Sequence, residues 1–213
     1  MHSTEAEITS STSGRRPDRT GRFRWRVVDI VVASVIGVAS GVIFWVWGQA
    51  YPTLGTPLEA VLPGLQGVVN GGWLFAGVLG GLIVRKPGAA LYTELLAAVV
   101  SALLVTQWGA LTLLSGLVQG LGAEIVFAAF LYANYRVYVA LIAGAGAGVA
   151  CAVNDLIITY PGADAPFVVL YVGSSVVSGV VIAGLLSWLV MKGLARTGAL
   201  SRFAAGREAG VRV

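Results

Sequence analysis

Two carboxylates stand in the middle of apolar runs of this 213-residue chain, Glu94 and Glu124, and neither run holds a Lys, Arg or His. An ionised acid at the centre of a bilayer costs several kcal/mol unless it is paired, hydrated or protonated, and such acids usually mark a site. Three solutions are open: protonation, hydrogen bonds to neighbouring helices, or a cation supplied by a ligand. At ~1.5 Å per helical residue, Glu94 lies roughly 12 Å above Lys86 and Glu124 roughly 18 Å above Arg136, so both are expected near the centre at comparable depth. Trp73 lies about 18 Å above Arg85 by the same count, too deep for an interfacial anchor. Asn70 is one helical turn outward from Trp73 and Gln66 another; Gln119 adds an amide, and Trp45 and Trp47 flank the outer end of the first apolar run. Acids, amides and indole faces together form a pocket for an aromatic or cationic ligand, held by hydrogen bonds and cation–π attraction.

The elements that must position these residues are helices. Apolar stretches cover about 27–48, 64–84, 88–106, 110–132, 137–157 and 167–191. All 14 Lys and Arg residues fall on one side of that pattern: before the first run, at Arg85 and Lys86, at Arg136, and after the sixth. Lys and Arg resist translocation, so the predicted fold is an all-α membrane protein, a six-transmembrane-helix bundle over 27–191 with both termini cytoplasmic. Charged residues are only 11% of the chain, against about 25% in soluble domains, and the mean hydropathy is +0.84. The net charge of +4 then reports topology and contact with anionic lipid, not nucleic-acid binding. Residues 1–26 read as a disordered cytoplasmic tail and 192–213 as a basic cytoplasmic tail.

Small residues recur at four-residue spacing inside the runs. Ala140, Gly144, Gly148 and Ala152 form one row in the fifth, and Ser175, Gly179 and Ala183 another in the sixth. Such rows let helix backbones approach closely. Ala33, Gly37 and Gly41 in the first run make a stripe that serves either the bundle or a partner membrane protein. Residues 49–63, with Pro52, Pro57 and Pro63, read as a stiff outer loop able to cover a site. Trp25, Trp108 and Trp188 fit an interfacial aromatic belt.

Enzymes are disfavoured. There is no histidine outside His2, so neither a membrane Ser–His pair nor an H-E-x-x-H zinc site can form, and no Walker A sequence is present. Cys151 is the lone cysteine, and no metal or cofactor is expected. A stand-alone proton-coupled carrier, relaying protons through Glu94 and Glu124, is the alternative. Many carriers are built from two repeated halves, and 27–106 shows no convincing repeat in 110–191.

The segments Gly71-Gly72-Trp73-Leu74-Phe75-Ala76-Gly77 and Gly80-Gly81-Leu82-Ile83-Val84-Arg85-Lys86-Pro87-Gly88-Ala89-Ala90 resemble the YkoE-type substrate-binding components of energy-coupling factor transporters. Tyr92-Thr93-Glu94-Leu95 and Gln119-Gly120-Leu121-Gly122-Ala123-Glu124 extend the likeness, which runs over about 25–192. The resemblance implies a six-helix bundle in a bacterial plasma membrane that captures thiamine or its hydroxymethylpyrimidine precursor from outside. It also implies a transmembrane coupling subunit and two cytoplasmic ATPase subunits as partners. The family's small-residue motif on helix one maps onto Ala33, Gly37 and Gly41, which keep the size of the motif but not its letters.

Overall fold

A computed structural model describes residues 23–203 and 205–206. The predicted N-terminal tail up to residue 22, and the C-terminal tail beyond 206, lie outside the described residues. All regular structure among the described residues is helical: α1 (Val27–Val61), a 3₁₀ segment (Leu65–Trp73), α2 (Phe75–Val84), α3 (Ala89–Leu103), α4 (Leu111–Ala129), α5 (Val137–Ile158), α6 (Ala165–Ser178), a π segment (Gly179–Leu186) and α7 (Ser187–Arg196). Four helices are long and apolar enough to cross a membrane: α1, α4, α5 and the continuous rod Ala165–Arg196. The 3₁₀ segment and α2 meet at a 40° bend and make a fifth candidate, while α3 is a shorter apolar helix of 15 residues.

The core is built around α2. Every residue of that helix except Phe75 is buried, as suits a helix that is apolar on all sides. Its glycines admit the neighbours: a Cβ on Gly80 would lie 2.2 Å from Thr93 Oγ1, and one on Gly81 2.4 Å from the Phe127 ring. The small rows of α5 and α6 meet as their spacing predicts. A Cβ on Gly144 would sit 2.2 Å from the Gly179 carbonyl oxygen, and one on Gly148 2.6 Å from that of Ser175. The π segment starts at this closest approach.

Two features differ from the sequence reading. The expected outer loop 49–63 is helical as far as Val61, so α1 has 35 residues, roughly 52 Å against a hydrocarbon core of about 30 Å. Pro52 and Pro57 lie inside it, each removing one N–H from the helical ladder. Pro52 leaves the Gly48 carbonyl without its helical donor, and Gln107 Nε2 donates to that oxygen at 3.4 Å. Second, the inner half of the expected 64–84 span is helical, but its outer half is wound as 3₁₀. There the backbone presses against α6: Gly71 N–H donates to Ser178 Oγ at 2.9 Å, and Ser178 Oγ donates to the Val68 carbonyl. Of the two roles open to the stripe Ala33, Gly37 and Gly41, the bundle fills one, since all three residues are buried. A Cβ on Gly37 would come within 3.0 Å of Leu96, and one on Gly41 within 2.5 Å of Val100, so the stripe seats α1 on α3. The outward face of α1 is instead a row of β-branched residues, including Val31, Val35, Val38, Val42 and Val46.

Past α7 the chain folds back onto the core. Leu200, Phe203 and Ala205 are buried with it, and the Arg26 guanidinium lies 6.0 Å from the Phe203 ring centre. Arg26 also pairs with Asp29 at 2.8 Å, closing the first turn of α1.

Candidate functional site

A cavity lies among α1, the 3₁₀ segment, α3, α4, α5 and α6. One wall is aromatic. Trp73 packs edge-on to Trp108 with ring centres 5.3 Å apart, and Tyr51 lies 5.4 Å from Trp73 and 5.9 Å from Trp108. The Trp73 indole N–H donates to the Phe44 carbonyl at 3.2 Å, which fixes its plane. Trp108, in the turn 104–110, lines the cavity while staying 36% exposed, and its ring is 3.0 Å from where a Gly48 Cβ would be.

Glu94 faces this cavity from α3 and is 1% exposed. One carboxylate oxygen, Oε2, accepts the Gly77 N–H at 2.6 Å. Gly77 is the third residue of α2, and the first turn of a helix has no internal partners for its N–H groups. Because the 3₁₀ segment ends at Trp73, that helix start falls inside the bundle, and the acid meets the positive end of its dipole. The other oxygen, Oε1, is buried with no hydrogen-bond partner. Thr112 Oγ1, on another wall of the same cavity, is likewise buried and unpartnered.

Asp155, also in the lining, anchors a polar cluster. Its Oδ2 accepts the Tyr171 hydroxyl at 2.8 Å, with Asn70 Nδ2 and Cys151 Sγ each at 3.4 Å. Its Oδ1 accepts Asn154 Nδ2 at 3.3 Å. Asn70 also donates to Tyr171 and Ser175, both at 3.0 Å, and Gln119 Nε2 contacts Cys151 Sγ at 3.4 Å. The cavity lining thus holds two carboxylates and no Lys, Arg or His. Asn154 and Asp155 lie on the last turns of α5, which runs to Ile158. A signal was present: Asp155 extends the row of Ala143, Ala147 and Cys151 by one more four-residue step.

Of the residues expected at the site, Glu94, Trp73, Asn70 and Gln119 line one cavity; Glu124, Trp47 and Gln66 do not. Glu124 caps α3. Its oxygens accept N–H groups of Gly88 at 2.6 Å, Ala90 at 2.9 Å and Leu91 at 3.3 Å, and the Tyr132 hydroxyl at 2.7 Å. Gly116, Gly120 and Glu124 share a face that packs on α3; a Cβ on Gly116 would lie 2.4 Å from that of Ala98. One turn further along, that face meets the start of α3. The two acids therefore do not share a depth. The sequence count took the helix through residue 132, whereas α4 ends at Ala129 and Leu131 and Tyr132 adopt left-handed backbone conformations. Trp47 supports Trp73 from behind, donating to the Val69 carbonyl at 3.0 Å, over a Gly72 whose Cβ would collide with it at 2.1 Å. Gln66 is fully buried and accepts the Gly64 N–H at 2.7 Å.

Known proteins share this architecture and sequence. Residues 28–150 match the family described as "ABC-type cobalt transport system, permease component". The chain is 35% identical over 190 residues to the "Putative HMP/thiamine permease protein YkoE" of Bacillus subtilis (strain 168), covering 86% of this chain and 92% of that protein. It also superposes on the crystal structure of an S-component of an ECF transporter with a TM-score of 0.82 and 34% identity, covering 89% of this chain and 95% of the other. The chain belongs to the YkoE-type S components of energy-coupling factor transporters. As an S component it is a membrane transport protein, and its relatives are transporter subunits, not enzymes. Their names differ on cargo, cobalt in the family description and HMP or thiamine in the Bacillus protein. In this S component, the residues named for each role sort by position: Glu94 and Asp155 face the cavity, whereas Glu124 holds a helix start.

Proposed function

We propose that this S component captures thiamine, or its hydroxymethylpyrimidine moiety, from the outer side of a bacterial plasma membrane. Transport then requires a transmembrane coupling subunit and two cytoplasmic ATPase subunits. The observation that carries this reading is a cavity with two carboxylates, no basic residue, an aromatic wall and a buried Glu94 oxygen with no partner. An aminopyrimidine brings N–H donors for Glu94 Oε1, and a thiazolium brings a fixed positive charge for Asp155 and the rings of Trp73, Trp108 and Tyr51. A cobalt ion lacks the apolar bulk to match the aromatic wall. The cavity is bordered by the C-terminal half of α1, the turn at Thr106–Trp108, and Thr159–Tyr160. These are the ends that carry no Lys or Arg, which supports entry from outside.

The same charge bias supports six crossings with both ends inside. The bent pair then counts as one crossing, and α3 is completed by its flanking turns. Labelling of single cysteines in Cys151-free protein should reach positions 56 and 163 from outside, and position 205 only after permeabilisation. External labelling of position 205 in intact cells refutes this topology. Native mass spectrometry of the purified protein, followed by titration calorimetry with thiamine and hydroxymethylpyrimidine, tests the cargo. Failure of both compounds to bind refutes it.

A further inference from the structure

We infer that the cavity admits only unphosphorylated cargo and rejects phosphate esters of the same compound by charge. This deepens the reading above and rests on it. Two residues of the lining each hold a buried polar atom without a protein partner, Glu94 Oε1 and Thr112 Oγ1. The first is an acceptor and pairs with an N–H donor of the ligand; the second is a hydroxyl, able to exchange one hydrogen bond with a neutral ligand hydroxyl. Asp155 is held only by neutral donors, those of Tyr171, Asn70, Asn154 and Cys151, so its negative charge is not cancelled within the protein. No Lys, Arg or His lines the space.

A phosphate monoester carries about −1.5 to −2 charges at neutral pH and offers mainly acceptor oxygens. Proteins hold such groups with Arg, Lys or a helix N-terminus. The helix start in the lining, that of α4, has its first N–H groups taken by the preceding turn, Leu111, Thr112 and Leu113 donating to the carbonyls of Trp108, Gly109 and Ala110, and the start of α2 has its Gly77 N–H taken by Glu94. An esterified ligand would therefore add negative charge beside Asp155 and bring acceptors to a wall that lacks matching cationic donors. Phosphate esters outside the cell must first meet a hydrolase before this protein can take them. Any phosphoryl transfer to the cargo belongs after entry.

The test is titration calorimetry on the purified full-length chain with thiamine, thiamine monophosphate and O-acetylthiamine. The acetate ester adds bulk at the same oxygen without charge. The monophosphate should bind at least a hundredfold more weakly than thiamine, and the acetate within about tenfold of it. Asp155→Asn should narrow the gap between thiamine and the monophosphate, because removing one acid weakens the cation and relieves the anion. A monophosphate that binds within tenfold of thiamine overturns the inference and leaves the cargo assignment intact. An acetate as weak as the phosphate also overturns it, since bulk and not charge would then set the limit. A parent protein that binds neither thiamine nor hydroxymethylpyrimidine overturns the cargo reading and this inference with it.

Discussion

Replacing Glu94 with Gln changes one atom and one charge, and the structure says which atom matters. The amide oxygen of Gln can keep the Gly77 N–H that Oε2 now accepts at 2.6 Å, so the start of α2 stays satisfied. The NH₂ group then stands in place of Oε1, turning an unpartnered acceptor into a donor. A ligand N–H aimed at that position loses a hydrogen bond to a charged group, worth about 1.5–3 kcal/mol. Affinity for thiamine or hydroxymethylpyrimidine should fall by roughly ten- to 150-fold. Thermal stability should change little. Glu94→Ala is the control for the other half of the argument: it orphans the buried Gly77 N–H and should cost about 1–3 kcal/mol of stability besides the lost binding. Titration calorimetry and thermal unfolding on the two purified variants separate these effects. A Glu94→Gln protein that binds both compounds as tightly as the parent shows that the open oxygen is not a ligand contact.

Glu124→Gln should behave in the opposite way, lowering the melting temperature through loss of charge-assisted bonds to the start of α3, by about 1.5–3 kcal/mol, while thiamine affinity in calorimetry stays within about twofold. Trp108→Ala should weaken thiamine binding by about 0.5–2 kcal/mol if the ring faces a cation, a loss of up to roughly thirtyfold read by the same titration. Gly41→Leu places side-chain atoms where Val100 and the Ala97 carbonyl already are, so overpacking should destabilise the fold by about 1–3 kcal/mol or more, seen as early thermal unfolding. Val35→Leu, on the exposed face of α1, should be nearly silent in the same assay.

The sequence by itself determined the class of molecule. Apolar runs and the one-sided placement of Lys and Arg depend on the solvent the chain must meet, not on how its helices pack, so the membrane-helix architecture was legible residue by residue. The packing rows of α5 and α6 were legible for a related reason: a four-residue period of Gly, Ala and Ser has few uses other than close helix contact. Glu94 was legible because a buried acid demands an account wherever it lies. Its partner was not, since the Gly77 N–H is free only where the 3₁₀ segment gives way to α2. Which neighbour a helix face meets is also a property of the assembled bundle. That is why the small-residue stripe of α1 meets α3, and why Glu124 caps α3 away from Glu94. Asp155, near the end of α5, and Trp108, in the turn at 104–110, entered the site only through the assembled bundle. Both are outcomes of long-range contacts, Asp155 with Tyr171 and Asn70, and Trp108 with Gly48, between residues that local periodicity cannot join.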